Sequence, residues 1–109
     1  MRPEQGALTE GVYLILLSLR HPRHGYGVMQ DIERMTAGRV VLGAGTLYGA
    51  IGSLAEKGWI AAAGHSADSR KKEYAITDFG RRVLLAEMAR LQELLAIGVS
   101  EMEGEANAN

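Results

Sequence analysis

The chain has 109 residues, 47% hydrophobic and 23% charged, a composition that fits one ordinary globular domain and argues against wholesale disorder. It has no cysteine, so disulfides, thiolate metal sites and cysteine nucleophiles are excluded together. The net charge of −1 is uneven: Met1 to Arg82 holds eleven Lys and Arg against eight Asp and Glu, and Val83 to Asn109 holds one against five.

That division suggests an anion-binding body with an acidic tail, because local fields steer polyanions whatever the total charge. The longest uninterrupted apolar run, Val12 to Leu17, is six residues. A bilayer span needs roughly 20. The first residues also lack the basic start, apolar stretch and small-residue cleavage site of a leader. The expectation is a soluble, cytoplasmic protein with no membrane association.

Met1 to Ala7, with Pro3 and Gly6, reads as a loose arm. Thr9 is placed to cap a first helix, with Leu8 against its first turn. Val12, Leu16 and Leu19 form its apolar face, widened by Tyr13 and Ile15. Pro22 ends it near Arg20 by disfavouring helical geometry at His21.

A second helix is expected from Gly25 to Thr36, with Val28, Ile32 and Met35 on one face and Asp31, Glu33 and Arg34 elsewhere. Gly38 is its stop. After the apolar run Arg39-Val40-Val41-Leu42, Thr46 opens a third helix as cap or first-turn residue. Leu47, Ile51 and Leu54 point inward, and Gly58 supplies a left-handed end.

The pattern then changes period. Trp59 to Ala63 and Lys72 to Ile76 read as two short strands joined by an eight-residue polar tip, Gly64 to Lys71. Thr77, with Asp78 in the first turn, caps a fourth helix. Along it Leu84, Met88, Leu91, Leu95 and Met102 recur at spacings of 4, 3, 4 and 7, a heptad-like seam with one member missing at Gly98. From Asp78 to Met102 such a helix is on the order of 36 Å long. A small helical body cannot cover it, so a homodimer packed through this helix is expected. Glu103 to Asn109 should fray.

Three helices followed by a hairpin is the order of a winged helix-turn-helix, a mainly α (α+β) fold with a two-stranded wing and a long C-terminal dimerisation helix. Residues 1–77 form the DNA-binding domain in this reading, 78–103 the dimerisation helix and 104–109 the tail. The third helix would enter a major groove about 12 Å wide. Thr46, Tyr48, Gly49, Gly52 and Ser53 lie on its free face. Gly45 and Thr46, and likewise Gly25 and Tyr26, offer unpaired N–H groups to phosphates at helix starts. Arg70, Lys71 and Lys72 in the wing suit phosphates or a minor groove.

Other chemistry finds little support. Gly43-x-Gly45 lacks the Gly-Lys-Ser/Thr of a phosphate loop, and His21, His24 and His65 have no metal-binding spacing. No acid–base pair or nucleophile stands out, so neither an enzyme nor a cofactor is expected. The alternative is a winged-helix protein-interaction module that does not read DNA.

The sequence resembles the PadR family of bacterial transcriptional regulators. The resemblance is carried by Ile15-Leu16-Leu17-Ser18-Leu19, His24-Gly25-Tyr26-Gly27, Gly45-Thr46-Leu47-Tyr48-Gly49-Ala50-Ile51, Leu54-Ala55-Glu56-Lys57-Gly58-Trp59-Ile60 and Arg70 through Gly80, in this order. It implies a repressor that dimerises through its C-terminal helix, of the short subfamily in which that region is a single helix. It also implies a palindromic double-stranded DNA operator and a small-molecule effector at the dimer interface.

Overall fold

A computed structural model describes residues 6–65 and 71–106. Helix α1 spans Glu10–Ser18, and the Thr9 hydroxyl accepts the Val12 N–H at 3.1 Å to cap it. Leu14, Ile15, Leu16 and Ser18 are all buried, as is Leu19 just beyond. An apolar stripe broader than one face marks a helix packed from several sides. Its neighbours are α2 (Gly25–Met35) and α4 (Asp78–Ala106).

The chain between α1 and α2 forms a short strand, β1 (Arg23–His24), that the sequence reading did not anticipate. Two residues are too few to show a period of two, so only the partner strand reveals it. That partner is β3 (Lys72–Ile76), which pairs antiparallel with β1 on one side and with β2 (Ile60–His65) on the other. The two-stranded wing is therefore two-thirds of a three-stranded sheet of order β1-β3-β2. The Leu19 carbonyl accepts the Ile76 N–H at 2.8 Å, fastening the end of α1 to the same strand. A register shift between Ala62 and His65 carries β2 through Gly64, at φ +96°, into the wing tip. β2 thus runs two residues further than expected.

Helix α3 spans Ala44–Glu56, with Gly43 as cap and Thr46 inside the first turn. Leu47, Ile51 and Leu54 are buried as their spacing required. Two helices end in the same hydrogen-bonded device. After α2, the Ala37 N–H bonds to the Arg34 carbonyl and the Gly38 N–H to the Glu33 carbonyl. After α3, the Gly58 N–H bonds to Ala55 and the Trp59 N–H to Leu54. Both are Schellman ends, whose first residue must be left-handed. At α3 that residue is Gly58, but at α2 it is Ala37, at φ +52°, one residue before the glycine expected there.

α4 is 29 residues long, about 43 Å, and continues through Ala106, past the expected start of fraying at Glu103. Its N-terminal part closes the core through Val83 and Leu84, beside Trp59 and Ile60.

Candidate nucleic-acid interface

The outer face of α3 carries Gly45, Thr46, Tyr48, Gly49, Gly52 and Ser53, all exposed. A Cβ added at Gly45, Gly49 or Gly52 would meet nothing within 4 Å. No contact inside the protomer therefore requires these glycines, although each weakens a helix interior by roughly 0.5–1 kcal/mol relative to alanine. The face is small, hydroxylated and free of charge as far as Glu56.

Tyr48 does not stand alone on it. Its ring lies over Gly25, so close that any side chain there would overlap the phenol. Gly25 is buried, which corrects its expected role as an open phosphate seat: it makes room for the ring. Tyr48 itself stays 52% exposed. Tyr26, one residue on, is exposed too, and the Lys71 ammonium stands 5.7 Å from its ring centroid. This cation–π geometry brings the wing base to the start of α2. Lys72 makes a similar contact with Tyr74, at 5.4 Å. Arg70 lies outside the described residues. Of the expected contact residues, Tyr26, Gly45, Thr46, Tyr48, Gly49, Ser53, Lys71 and Lys72 are exposed.

A polar hub behind this surface escaped the sequence reading. Asp31, assigned there to a face away from the core, has a side chain only 15% exposed. Its Oδ2 accepts from the Ser18 hydroxyl at 2.7 Å and from Arg23 Nε at 3.0 Å, while Arg34 stands 3.6 Å from Oδ1. Burial pushes its carboxyl up, but the hydrogen bonds from Ser18 and Arg23, with the charges of Arg23 and Arg34, outweigh it and hold it below the ordinary range. The hub joins α1, β1 and α2, the three parts that carry the base of the wing. His24 completes the junction by capping α2, its Nδ1 accepting the Gly27 N–H at 3.1 Å. The hub does not show in sequence, because Ser18 and Arg23 lie thirteen and eight residues from Asp31. The His24 contact is local, three residues from Gly27, and the sequence already points to His24 as organising the turn into α2.

On α4 the expected dimer seam divides. Leu84 is 5% exposed and belongs to the protomer's own core, a correction to its expected role at the seam. Met88, Leu91, Leu95 and Met102 are exposed, Leu95 reaching 68%. Leu94, Ile97 and Val99 add apolar surface beside them. Tyr13 of α1 shares a shallow groove with Met88, Leu91, Gln92 and Leu95. Glu87 is buried below, chelated by Arg90 at 2.8 and 2.6 Å. Arg90 holds its carboxyl below the ordinary range against the opposing effect of burial, and the Leu8 main chain adds to the lowering. Among the described residues there is no group of His, Asp and Glu fit to hold a metal, and no helix long and apolar enough to cross a membrane.

Residues 14–86 match the pattern of the "Transcriptional regulator PadR-like family". The chain belongs to the PadR-like family of transcriptional regulators. No protein of curated function matches it significantly. Among solved structures, a PadR family transcriptional regulator from Eggerthella lenta is 29% identical with a TM-score of 0.63, over 84% of this chain and 79% of that one. A transcriptional regulator from Clostridium thermocellum is 22% identical with a TM-score of 0.66, over 84% and 90%. Bacillus subtilis PadR, solved in complex with operator DNA, is 18% identical with a TM-score of 0.60, over 72% of this chain and 45% of that one. At these identities the last two establish the shared winged-helix fold. In PadR terms, α3 is the second helix of the helix-turn-helix, and β2 and β3 are the wing.

Proposed function

We propose that the protein is a dimeric, sequence-specific DNA-binding repressor that a small-molecule effector releases. In this reading residues 1–77 contact DNA and 78–103 dimerise. The observation that carries it is the exposed face of α3, free of charge from Gly45 to Ser53, set beside exposed Tyr26 and the basic wing residues Lys71 and Lys72. A duplex carries one negative charge per roughly 1.7 Å, and such a surface accepts it without repulsion. The operator-bound Bacillus subtilis relative supports the same assignment.

Base reading on α3 would rest on Thr46, Tyr48 and Ser53, with the glycines allowing the helix backbone to come close. With no arginine on that face, the two-pronged contact to guanine is absent, and shape readout takes a larger share. The exposed run from Met88 to Met102 is the surface for a second copy. Two reading helices would then meet half-sites one helical turn apart, about 34 Å. The groove by Tyr13 and Leu91 adjoins that seam, which suits an effector able to change the crossing of the two long helices.

The test is selection of bound sequences from random duplex DNA. A palindrome with half-sites about one turn apart is the expected result. Failure to enrich any sequence at low salt would favour a protein-interaction module instead.

A further inference from the structure

The start of α4 and the end of α3 are locked to the same two residues. The Trp59 N–H bonds to the Leu54 carbonyl of α3 at 3.0 Å, and the Trp59 carbonyl accepts the Thr77 N–H at 3.0 Å. The Thr77 hydroxyl donates to the Gly58 carbonyl at 2.7 Å and accepts the Gly80 N–H at 3.0 Å. Gly80 presses so closely on the Trp59 carbonyl that a Cβ would overlap it, and that Cβ would also stand 2.8 Å from Ile76 Cγ1. Phe79, between them, packs toward Gly58. The first turn of α4 thus sits on the Schellman end of α3 through backbone groups and the short, β-branched side chain of Thr77. The wing leaves from this joint and returns to it, so it does not separate the two helices mechanically.

The geometry points to Thr77 and Gly80 as positioning residues that make α3 and α4 one rigid lever. This rests on the dimeric DNA-binding reading above and deepens it. Any change in how two α4 helices cross passes directly to the reading helices, and half-site spacing is selected by this joint rather than by the wing. Thr77 touches no DNA in this scheme; it acts through α3.

The chain has no cysteine, so two introduced ones label cleanly. Spin labels at Ala44→Cys on α3 and Ala96→Cys on α4, both exposed positions, diluted with unlabelled chain, report the angle within one protomer without DNA. A narrow distance distribution is expected in the parent. It should broaden in Thr77→Val, which lacks the hydroxyl, and be restored in Thr77→Ser. On palindromes of graded half-site spacing, Thr77→Val should lose about fivefold or more of the discrimination between best and next-best spacing. Gly80→Ala, which wedges the joint open with the hydroxyl intact, is the second variant and should shift the same two readouts. Folded variants with parental distributions and spacing profiles overturn the proposal. A parent that binds no DNA overturns the regulator reading, while the distance measurement still decides the joint.

Discussion

Tyr48 is held on the outside of α3 by what Gly25 lacks. The phenol occupies the space that any side chain at the start of α2 would fill, and half of its surface still faces solvent. An aromatic ring that is both seated and exposed reaches a ligand with little ordering entropy left to lose. Gly25→Ala must displace it. The expected cost is about 1–3 kcal/mol in denaturant unfolding, the range for overpacking a fitted site. Tyr48→Phe should leave stability within about 0.5 kcal/mol and lower operator affinity. Equal affinity for Tyr48→Phe and wild type would show that the hydroxyl makes no bond to DNA.

The wing lysines make a separate electrostatic prediction. Lys71→Ala with Lys72→Ala should weaken operator and random duplex alike, since binding to phosphates carries no sequence information. The slope of log affinity against log salt should fall by about 0.9 for each phosphate that the variant no longer neutralises. Fluorescence anisotropy titrations at several salt concentrations measure both. An unchanged slope would take the wing away from the phosphates.

The seam on α4 predicts assembly. Leu91→Glu with Leu95→Glu places charges on a face that is exposed in the protomer, so the monomer fold should survive. Sedimentation should show a dimer for the parent and a monomer for the variant, and operator affinity should disappear with the dimer. A variant that remains dimeric would move the interface elsewhere.

Acid should weaken the fold through two carboxylates. Glu87 and Asp31 are both held below their ordinary values. A group depressed in the folded state contributes fully above its unfolded pKa, about 4, and loses that contribution as pH falls through its folded value. Urea unfolding should therefore show stability flat from pH 7 to 5 and declining below about pH 4. Glu87→Gln should cost about 1–2 kcal/mol at pH 7, an amount limited by the partial exposure of Arg90, and should shallow the acid slope. An unchanged slope in that variant would assign acid lability to other groups.

Ala37 offers the opposite sign. A left-handed residue with a Cβ costs about 1–2 kcal/mol, and glycine removes that strain while adding some unfolded-state entropy. Ala37→Gly should raise the unfolding free energy by a net of roughly 0.5–1 kcal/mol, read as a higher denaturant midpoint at the same slope. A lower midpoint would show that Ala37 is not strained in solution.

Periodicity and punctuation decided much of this protein before any folding in three dimensions. The inward faces of α2 and α3, the Thr9 and Thr77 caps, the Gly58 stop and both wing strands each follow from residues a few positions apart. Local chemistry is sufficient there because the partners are neighbours along the chain. Contacts between distant residues were decided only by tertiary packing. Arg23 and His24 become a strand because β3 arrives beside them, and Asp31 becomes a hub because Ser18 and Arg23 converge on it. Leu84 illustrates the difference most directly. Its heptad spacing is the same as that of Leu91, yet it is buried because the body of the protomer reaches that far along α4 and no farther. A helical repeat states which side is apolar; only the surrounding fold determines what covers it.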